Sequence, residues 1–230
     1  MQQQFTTFEN MKILLVSATI LELQPILKKA ELVRRSSNKL STYKFEGQEF
    51  DLLCTGVGMV ATAFHLGSVL ASSKYGRVIN LGIAGSFDKQ IPLGSVVEIV
   101  EDQFSEMGAD DKGSLLSLID LDLLEPDDFP YESGVLNNHQ SIWKLPYPKV
   151  KAITVNTAHG SEELIAKTVN RFSPQVESME GAAIFYACKF AKIPCIQIRS
   201  ISNYVEPRNR ASWNIPLAIQ NLNAEILNLL

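Results

Sequence analysis

The feature that most restricts this chain is a set of strand-sized apolar runs, several of which end in glycines or small polar residues. They are "MKILLVSA" (11–18), "RVINLGIAGSF" (77–87), "GSVVEIVEDQFSE" (94–106), "KVKAITVN" (149–156) and "CIQIRSISN" (195–203). The first is nearly continuously apolar rather than alternating, which predicts a strand covered on both faces, and the second reads as another buried strand. Between them lie stretches with helical spacing: "TILELQPILKKAELV" (19–33), "MVATAFHLGSVLASSKYG" (59–76), "SEELIAKTVNRF" (161–172), "ESMEGAAIFYACKFAKI" (177–193) and "WNIPLAIQNLNAEILNLL" (213–230). "YKFEGQEFDLLCTGVG" (43–58) reads as a hairpin turning at Gly47, and Ser161 is in position to cap a helix. Strand and helix alternate with no internal repeat and no Gly/Ser tract. The expectation is one α/β domain over residues 11–230, behind a polar leader at 1–10, with helices flanking a mixed, mostly parallel sheet. Ligands of such sheets bind beyond the strand ends.

Residues 105–148 break the pattern. The stretch 101–128 holds ten of the 25 acids and a single lysine, Lys112, which predicts a solvated excursion or a lid. Net charge is −4, a balance that disfavours nucleic acid and anionic membranes as partners. No apolar run is long enough to span a bilayer, and the first ten residues lack the basic and apolar regions of a signal peptide. Cys54, Cys188 and Cys195 have apolar surroundings and no metal spacing, so reduced thiols in a cytoplasmic protein are expected.

Four stretches can carry chemistry. "SATILELQP" places Glu22 just after the first strand, where it is either a solvated helix charge or a site carboxylate. "TGVGMVATAF" allows positive φ and close backbone approach at a helix start, as a tight turn or as a cradle for an anion or a sugar. "NLGIAGSF" is a second exit of that kind. In "ESMEGAAIFYACKF", Glu180 is either a charge favoured by the helix dipole or an acceptor for two adjacent hydroxyls. His65, His139 and His159 form no Ser/His/Asp or metal arrangement; His159, in "NTAHGS", is in a position to approach a ligand.

Read in order, "MKILLVSATILELQP", "TGVGMVATA", "VINLGIAGSF", "PLGSVV", "VESMEGAAI" and "IPCIQIRSISN" resemble the purine nucleoside phosphorylase/nucleosidase superfamily, in its bacterial nucleosidase branch. The match runs over nearly the whole chain from Met11. The resemblance implies a three-layer α/β/α sandwich, assembly as a homodimer or larger homo-oligomer, a small-molecule nucleoside as substrate, and no metal or organic cofactor. It implies Glu22 as the base that activates water, Glu180 as acceptor of the ribose diol with Met179 beside the sugar, and Ala84 and Gly85 in a glycine loop lining the site. Arg199 and Ser202 fall near the base pocket, and Asn203 faces the purine ring.

The tail "RSISNYVEPRNRASWNIPLAI" is most similar to members that remove hypoxanthine from futalosine in a route to menaquinone. Relatives acting on 6-aminopurines have aspartic acid where this chain has Asn203, and an amide NH2 suits the O6 and N7 acceptors of a 6-oxopurine. Arg208 or Arg210 is in position to pair a substrate carboxylate, with Trp213 stacking nearby, or else to be a surface arginine. Ile83 and Thr157 depart from adenine-specific relatives, which have a small polar residue and a stacking aromatic there. The alternatives are cleavage of inosine or 5′-methylthioadenosine-type nucleosides, by water or by phosphate, and a non-catalytic nucleoside-binding protein. Phosphorolysis needs arginines at the glycine stretches, which have none; binding alone needs no base such as Glu22.

Overall fold

A computed structural model describes residues 12–138, 144–226 and 229; the polar leader and His139 lie outside the described residues. The strands are β1 (Ile13–Ser17), β2 (Glu31–Arg35), β3 (Leu40–Phe45), β4 (Gln48–Cys54), β5 (Arg77–Ser86), β6 (Val96–Asp102), β7 (Gly108–Asp111), β8 (Ser114–Ser117), β9 (Leu136–Asn137), β10 (Lys149–Thr154), β11 (Val176–Ser178) and β12 (Cys195–Tyr204). The helices are α1 (Gln24–Leu27), α2 (Met59–Ser72), α3 (Glu162–Phe172), α4 (Gly181–Ala191) and α5 (Ile215–Ile226).

β1 is buried on both sides, as its continuous apolarity requires, whereas β10 exposes Lys149 and Lys151. One core joins Leu14, Val16, Val97, Ile99 and Ile201 to Leu66 of α2 and Ile184, Phe185 and Cys188 of α4. The other joins Ile13, Leu15, Ile79, Ile196 and Ile198 to Leu23, Ile26 and, from α5, Leu222 and Ile226. Helices on both faces of one sheet make the three layers.

The sheet is mixed. Its centre, β4–β1–β5–β12, is parallel. β6 joins β12 antiparallel, β10 and β11 follow in parallel, and β11 returns antiparallel to the far end of β5. Strands β5, β12, β6, β10 and β11 therefore close a ring, while β1, β4, β3 and β2 leave it as an open limb. Closure brings Val176 opposite Ser86 and Glu177 opposite Gly85, which gathers three strand ends at one place.

Three expectations are corrected. "TILELQPILKKAELV" is a 3-10 turn (Ile20–Leu23) and the single-turn α1, followed by the exposed edge strand β2. The glycines of "NLGIAGSF" are not in a loop, because β5 continues through Ser86. The acidic excursion folds a hairpin, β7–β8, and leans on α3: Arg171 donates to the Leu115 carbonyl at 2.7 Å and pairs with Asp120, and Lys167 donates to the Gly113 carbonyl at 3.0 Å. Ser161 does precede α3, without a side-chain capping bond. Among the described residues no helix is long and apolar enough to cross a membrane, and no group of acids, histidines and cysteines forms a metal site. The three cysteines are free thiols, with Cys188 and Cys195 buried.

Candidate active site

A cleft of about 390 Å³ opens where β5, β11 and β12 converge, a volume suited to a small molecule. Its lining includes Glu22, Ala84, Gly85, Met179, Glu180, Ser202, Asn203 and Arg208, and none of the described residues of 105–148. The described part of the excursion therefore lies outside the cleft.

Glu22 sits at the end of the 3-10 turn after β1, 8% exposed. Its Oε2 accepts from Ser17 Oγ at 2.9 Å, the Thr19 N–H at 2.9 Å and Thr19 Oγ1 at 3.1 Å. Its Oε1 accepts the Ile83 N–H at 3.2 Å. The Thr19-x-x-Glu22 spacing is that of a capping box, a signal in the sequence for this anchoring. Asn223 of α5 holds the same segment from the other side, donating to the Glu22 carbonyl at 2.7 Å and accepting the Ile26 N–H at 3.1 Å. Nothing in the sequence singles out Asn223, which lies 201 residues away. Gly82 is glycine for space: a Cβ there would stand 3.0 Å from Glu22 Oε1.

Glu180 is the residue before the first turn of α4. Its Oε1 accepts the Gly58 N–H at 2.8 Å, with Gly58 at φ +97° before α2. The glycine turn thus does cradle an anion, and that anion is the protein's own carboxylate. Burial pushes the Glu180 carboxyl up, against the lowering effects of the Gly58 N–H and the Arg199 charge. Met179 lies beside it in the lining.

Asn203 owes its aim to a bulge. β12 pairs Ile201 with Ala84 and then Asn203 with Gly85, so Ser202 is the extra residue. Asn203 Oδ1 accepts from Ser202 Oγ at 2.8 Å, and Nδ2 donates to the Tyr204 carbonyl at 3.0 Å. One Nδ2 hydrogen remains for the cleft. A Cβ on Gly85 would stand 3.1 Å from that nitrogen, so Gly85, like Gly82, makes room for a polar group.

Arg199 departs from the expectation that it lies at the base pocket. It is 2% exposed and absent from the lining; its guanidinium donates to Asn80 Oδ1 and, at 3.1 Å, to Gln197 Oε1. Burial lowers its pKa, and the charges of Glu180, Glu22 and Asp102 raise it. It lies behind the carboxylates, where it can act on a ligand only through them. Ile83 lines the cleft, whereas Thr157 is exposed outside it, its N–H directed at Glu106.

Sequence reading missed a second pair in the lining. His159 Nδ1 lies 2.7 Å from Glu177 Oε2, its backbone N–H donates to Glu177 Oε1 at 3.1 Å, and its Nε2 is 2.9 Å from Thr168 Oγ1. The bond to Glu177 holds the imidazole above its ordinary pKa. This pair ties the loop after β10 to β11. Beyond it, Arg208 packs its Cβ near Gly160 and sets its guanidinium 5.3 Å from the Trp213 ring, which Arg210 flanks at 5.8 Å. Of the two arginines, only Arg208 lines the cleft.

Comparison with known proteins places relatives beside this geometry. A family model described as the phosphorylase superfamily matches residues 12–230. Futalosine hydrolase of Streptomyces coelicolor is 26% identical over 178 residues, covering 75% of each chain. Two solved structures share the fold. The 5′-methylthioadenosine/S-adenosylhomocysteine nucleosidase of Colwellia psychrerythraea, in complex with adenine, has a TM-score of 0.77 at 22% identity over 95% of this chain and 94% of that one. Futalosine hydrolase of Helicobacter pylori has a TM-score of 0.77 at 17% identity over 97% and 100%.

Proposed function

The chain belongs to the phosphorylase superfamily, and from that premise we propose that it hydrolyses the N-glycosidic bond of futalosine and releases hypoxanthine, a step toward menaquinone. The observation that carries this reading is the Asn203 amide, whose Oδ1 is taken by Ser202 while one Nδ2 hydrogen remains for the base. A 6-oxopurine meets that hydrogen with its O6 and N7 acceptors. Both bases offer N7, but an adenine turns a donor rather than an acceptor toward the amide at the 6-position, and a buried polar group left unpaired there costs about 1–3 kcal/mol.

The bond breaks by departure of the base with its electron pair, leaving an oxocarbenium-like sugar, and the departing anion, met by the Asn203 N–H, takes a proton from solvent water to leave as hypoxanthine. Glu22, steadied by its four donors, holds a water and takes its proton as the oxygen bonds to the anomeric carbon. General-base assistance of this kind is worth about 10²–10⁴-fold. Glu180 keeps one oxygen on the Gly58 N–H and offers the other to the ribose diol, fixing the ring. Arg208, beside Trp213, pairs the carboxylate at the far end of futalosine. Water rather than phosphate fits the lining: among its described residues Arg208 is the only guanidinium, and it stands on the loop after β12 rather than at Gly58 or Gly82.

The reading includes a homo-oligomer. Val60 and Phe64 of α2 are 82% and 68% exposed, and on α4 the exposed Phe190 meets Phe129 edge-on at 5.0 Å, an apolar face of the kind a second copy covers. Size-exclusion chromatography of Phe64→Glu, expected as a monomer against an oligomeric parent, checks it.

The activity is tested with futalosine, inosine and 5′-methylthioadenosine, each with and without phosphate, following free base by chromatography. Hypoxanthine released from futalosine without phosphate is the expected result. Preferred release of adenine, or strict dependence on phosphate, overturns the reading.

A further inference from the structure

Behind the cleft carboxylates lies a buried carboxyl that the reaction above does not use. β6 pairs Ile99 with Val150 and then Glu101 with Lys151, so Val100 is bulged out. Glu101 is thereby turned to Lys151, 3.2 Å away, and Asp102 is turned inward, where it is 0% exposed. Asp102 Oδ1 accepts from Thr154 Oγ1 at 2.9 Å, and that Oγ1 accepts the Ala182 N–H of α4 at 2.7 Å. Asp102 Oδ2 has no hydrogen-bond partner. This oxygen and Gln197 Oε1 both occupy the space that a Cβ on Gly181 would fill, so only glycine fits between them. Gln197 donates Nε2–H to the Gly181 carbonyl at 2.9 Å, while its Oε1 accepts from Arg199 at 3.1 Å.

Two acceptor oxygens gathered beside one glycine in a fully buried place repel unless one of them carries a hydrogen. We propose that Asp102 is a positioning residue of the hydrolytic site: in its neutral form it donates Oδ2–H to Gln197 Oε1, and Gln197 then fixes the Arg199 guanidinium behind Glu22 and Glu180. The inference rests on the hydrolytic reading, which assigns those carboxylates their roles.

Charge supports the same arrangement. Asp102 is faced by Thr154 on β10, by Gln197 and Arg199 on β12 and by the start of α4; Arg199 is the one charged group among them, and Glu22 and Glu180 also act on it. Ionised, Asp102 becomes a third anion drawing on one buried cation. Burial pushes its carboxyl up to about 7, against the lowering effects of Thr154, the Arg199 charge, the Gln103 N–H and Gln197. The group is therefore neutral below that value, and the relay is broken as pH rises through it.

The test measures kcat and KM for base release from about pH 5.5 to about pH 9.5 in the parent enzyme and in Asp102→Asn. Asparagine accepts from Thr154 and donates to Gln197 at every pH. The parent's kcat is expected to fall about tenfold per unit above its midpoint with KM little changed, while Asp102→Asn keeps its acid-side kcat and lacks that limb. The same limb in Asp102→Asn, or an equal loss at every pH, overturns the proposal. Where that variant is insoluble, Thr154→Val removes a donor that steadies the Asp102 anion and raises the midpoint; an unmoved midpoint overturns it. A ¹³C titration of the carboxyl carbons in the free protein separates the two readings. The Asp102 signal and the Gln197 side-chain amide are expected to move together, without substrate. If no nucleoside is cleaved, the hydrolytic reading fails while the titration still reads the relay. If nucleosides are cleaved but the Gln197 amide stays still as Asp102 titrates, the relay alone fails.

Discussion

The floor and the rim of the cleft are built differently. The floor is strand and strand end: Ala84 and Gly85 on β5, Glu177 on β11, Asn203 on β12, and Glu22 in the turn leaving β1, which takes four hydrogen bonds. The rim is loop: His159 and Gly160 after β10, and Glu206, Arg208 and Trp213 after β12, joined by one His–Glu pair, cation–π contacts and the exposed Lys89–Glu206 ion pair at 3.3 Å. Groups fixed on strands hold a reacting geometry, whereas loops tolerate changes that select substrates. On the proposed reading, bond cleavage belongs to the floor and recognition of the substrate's far end to the rim.

The sharpest way to break that division is Glu22→Gln. The amide can keep an oxygen toward Ser17 and Thr19 but turns an NH2 at the Ile83 N–H, so a stability cost of about 1–3 kcal/mol is expected beside the kinetic one. kcat should fall by about 10²–10⁴ with KM nearly unchanged. Turnover at the parent's rate would remove Glu22 from the chemistry and leave the floor without a base.

Next in size is Asn203→Asp. An aspartic acid carries a proton for N7 and loses the fixed NH2, so preference should move from hypoxanthine toward adenine nucleosides. A change of about 1–3 kcal/mol corresponds to about 5- to 150-fold in the ratio of kcat/KM values, read from competing substrates. An unchanged ratio would move base selection off the floor.

The same division governs what was legible in the sequence. β1 was readable because burial on both faces leaves a continuous apolar run, and β10 because exposed Lys149 and Lys151 alternate with buried Val150 and Ala152. β2 was not: all five of its residues are exposed, so nothing separates "ELVRR" from the end of a helix. β11 has only three residues and runs into the small-residue start of α4, which hides it. The motifs led to Glu22, Glu180 and Asn203 as residues, and the capping-box spacing even held the reason Glu22 is rigid. They could not tell that Arg199 points into the ring, because a strand covered on both faces carries no sign of which side is which. Nor could they pair His159 with Glu177, since that contact exists only because β11 closes onto β5.

Arg208→Ala sharpens the comparison from the rim. KM for futalosine should rise about tenfold, equivalent to about 1.4 kcal/mol, with kcat little changed. Inosine, which has no carboxylate, should be unaffected. A matched rise for both substrates would mean that Arg208 shapes the cleft rather than reading the far end.

The smallest expected effect concerns how the rim is held. His159 is kept above its ordinary 6.5 chiefly by the Glu177 carboxylate. A folded-state pKa raised above the unfolded one contributes stability that is complete below about 6.5 and is lost as pH rises through the folded value. His159→Gln cannot carry the charge, so its melting temperature should lie below the parent's most clearly near pH 5.5, by about 2–4 °C for each kcal/mol lost, and the gap should narrow at about pH 8.5. A gap that widens with pH would mean that His159 works as a neutral ring against Thr168, and the rim would then be fastened by packing and hydrogen bonds of the same kind as the floor.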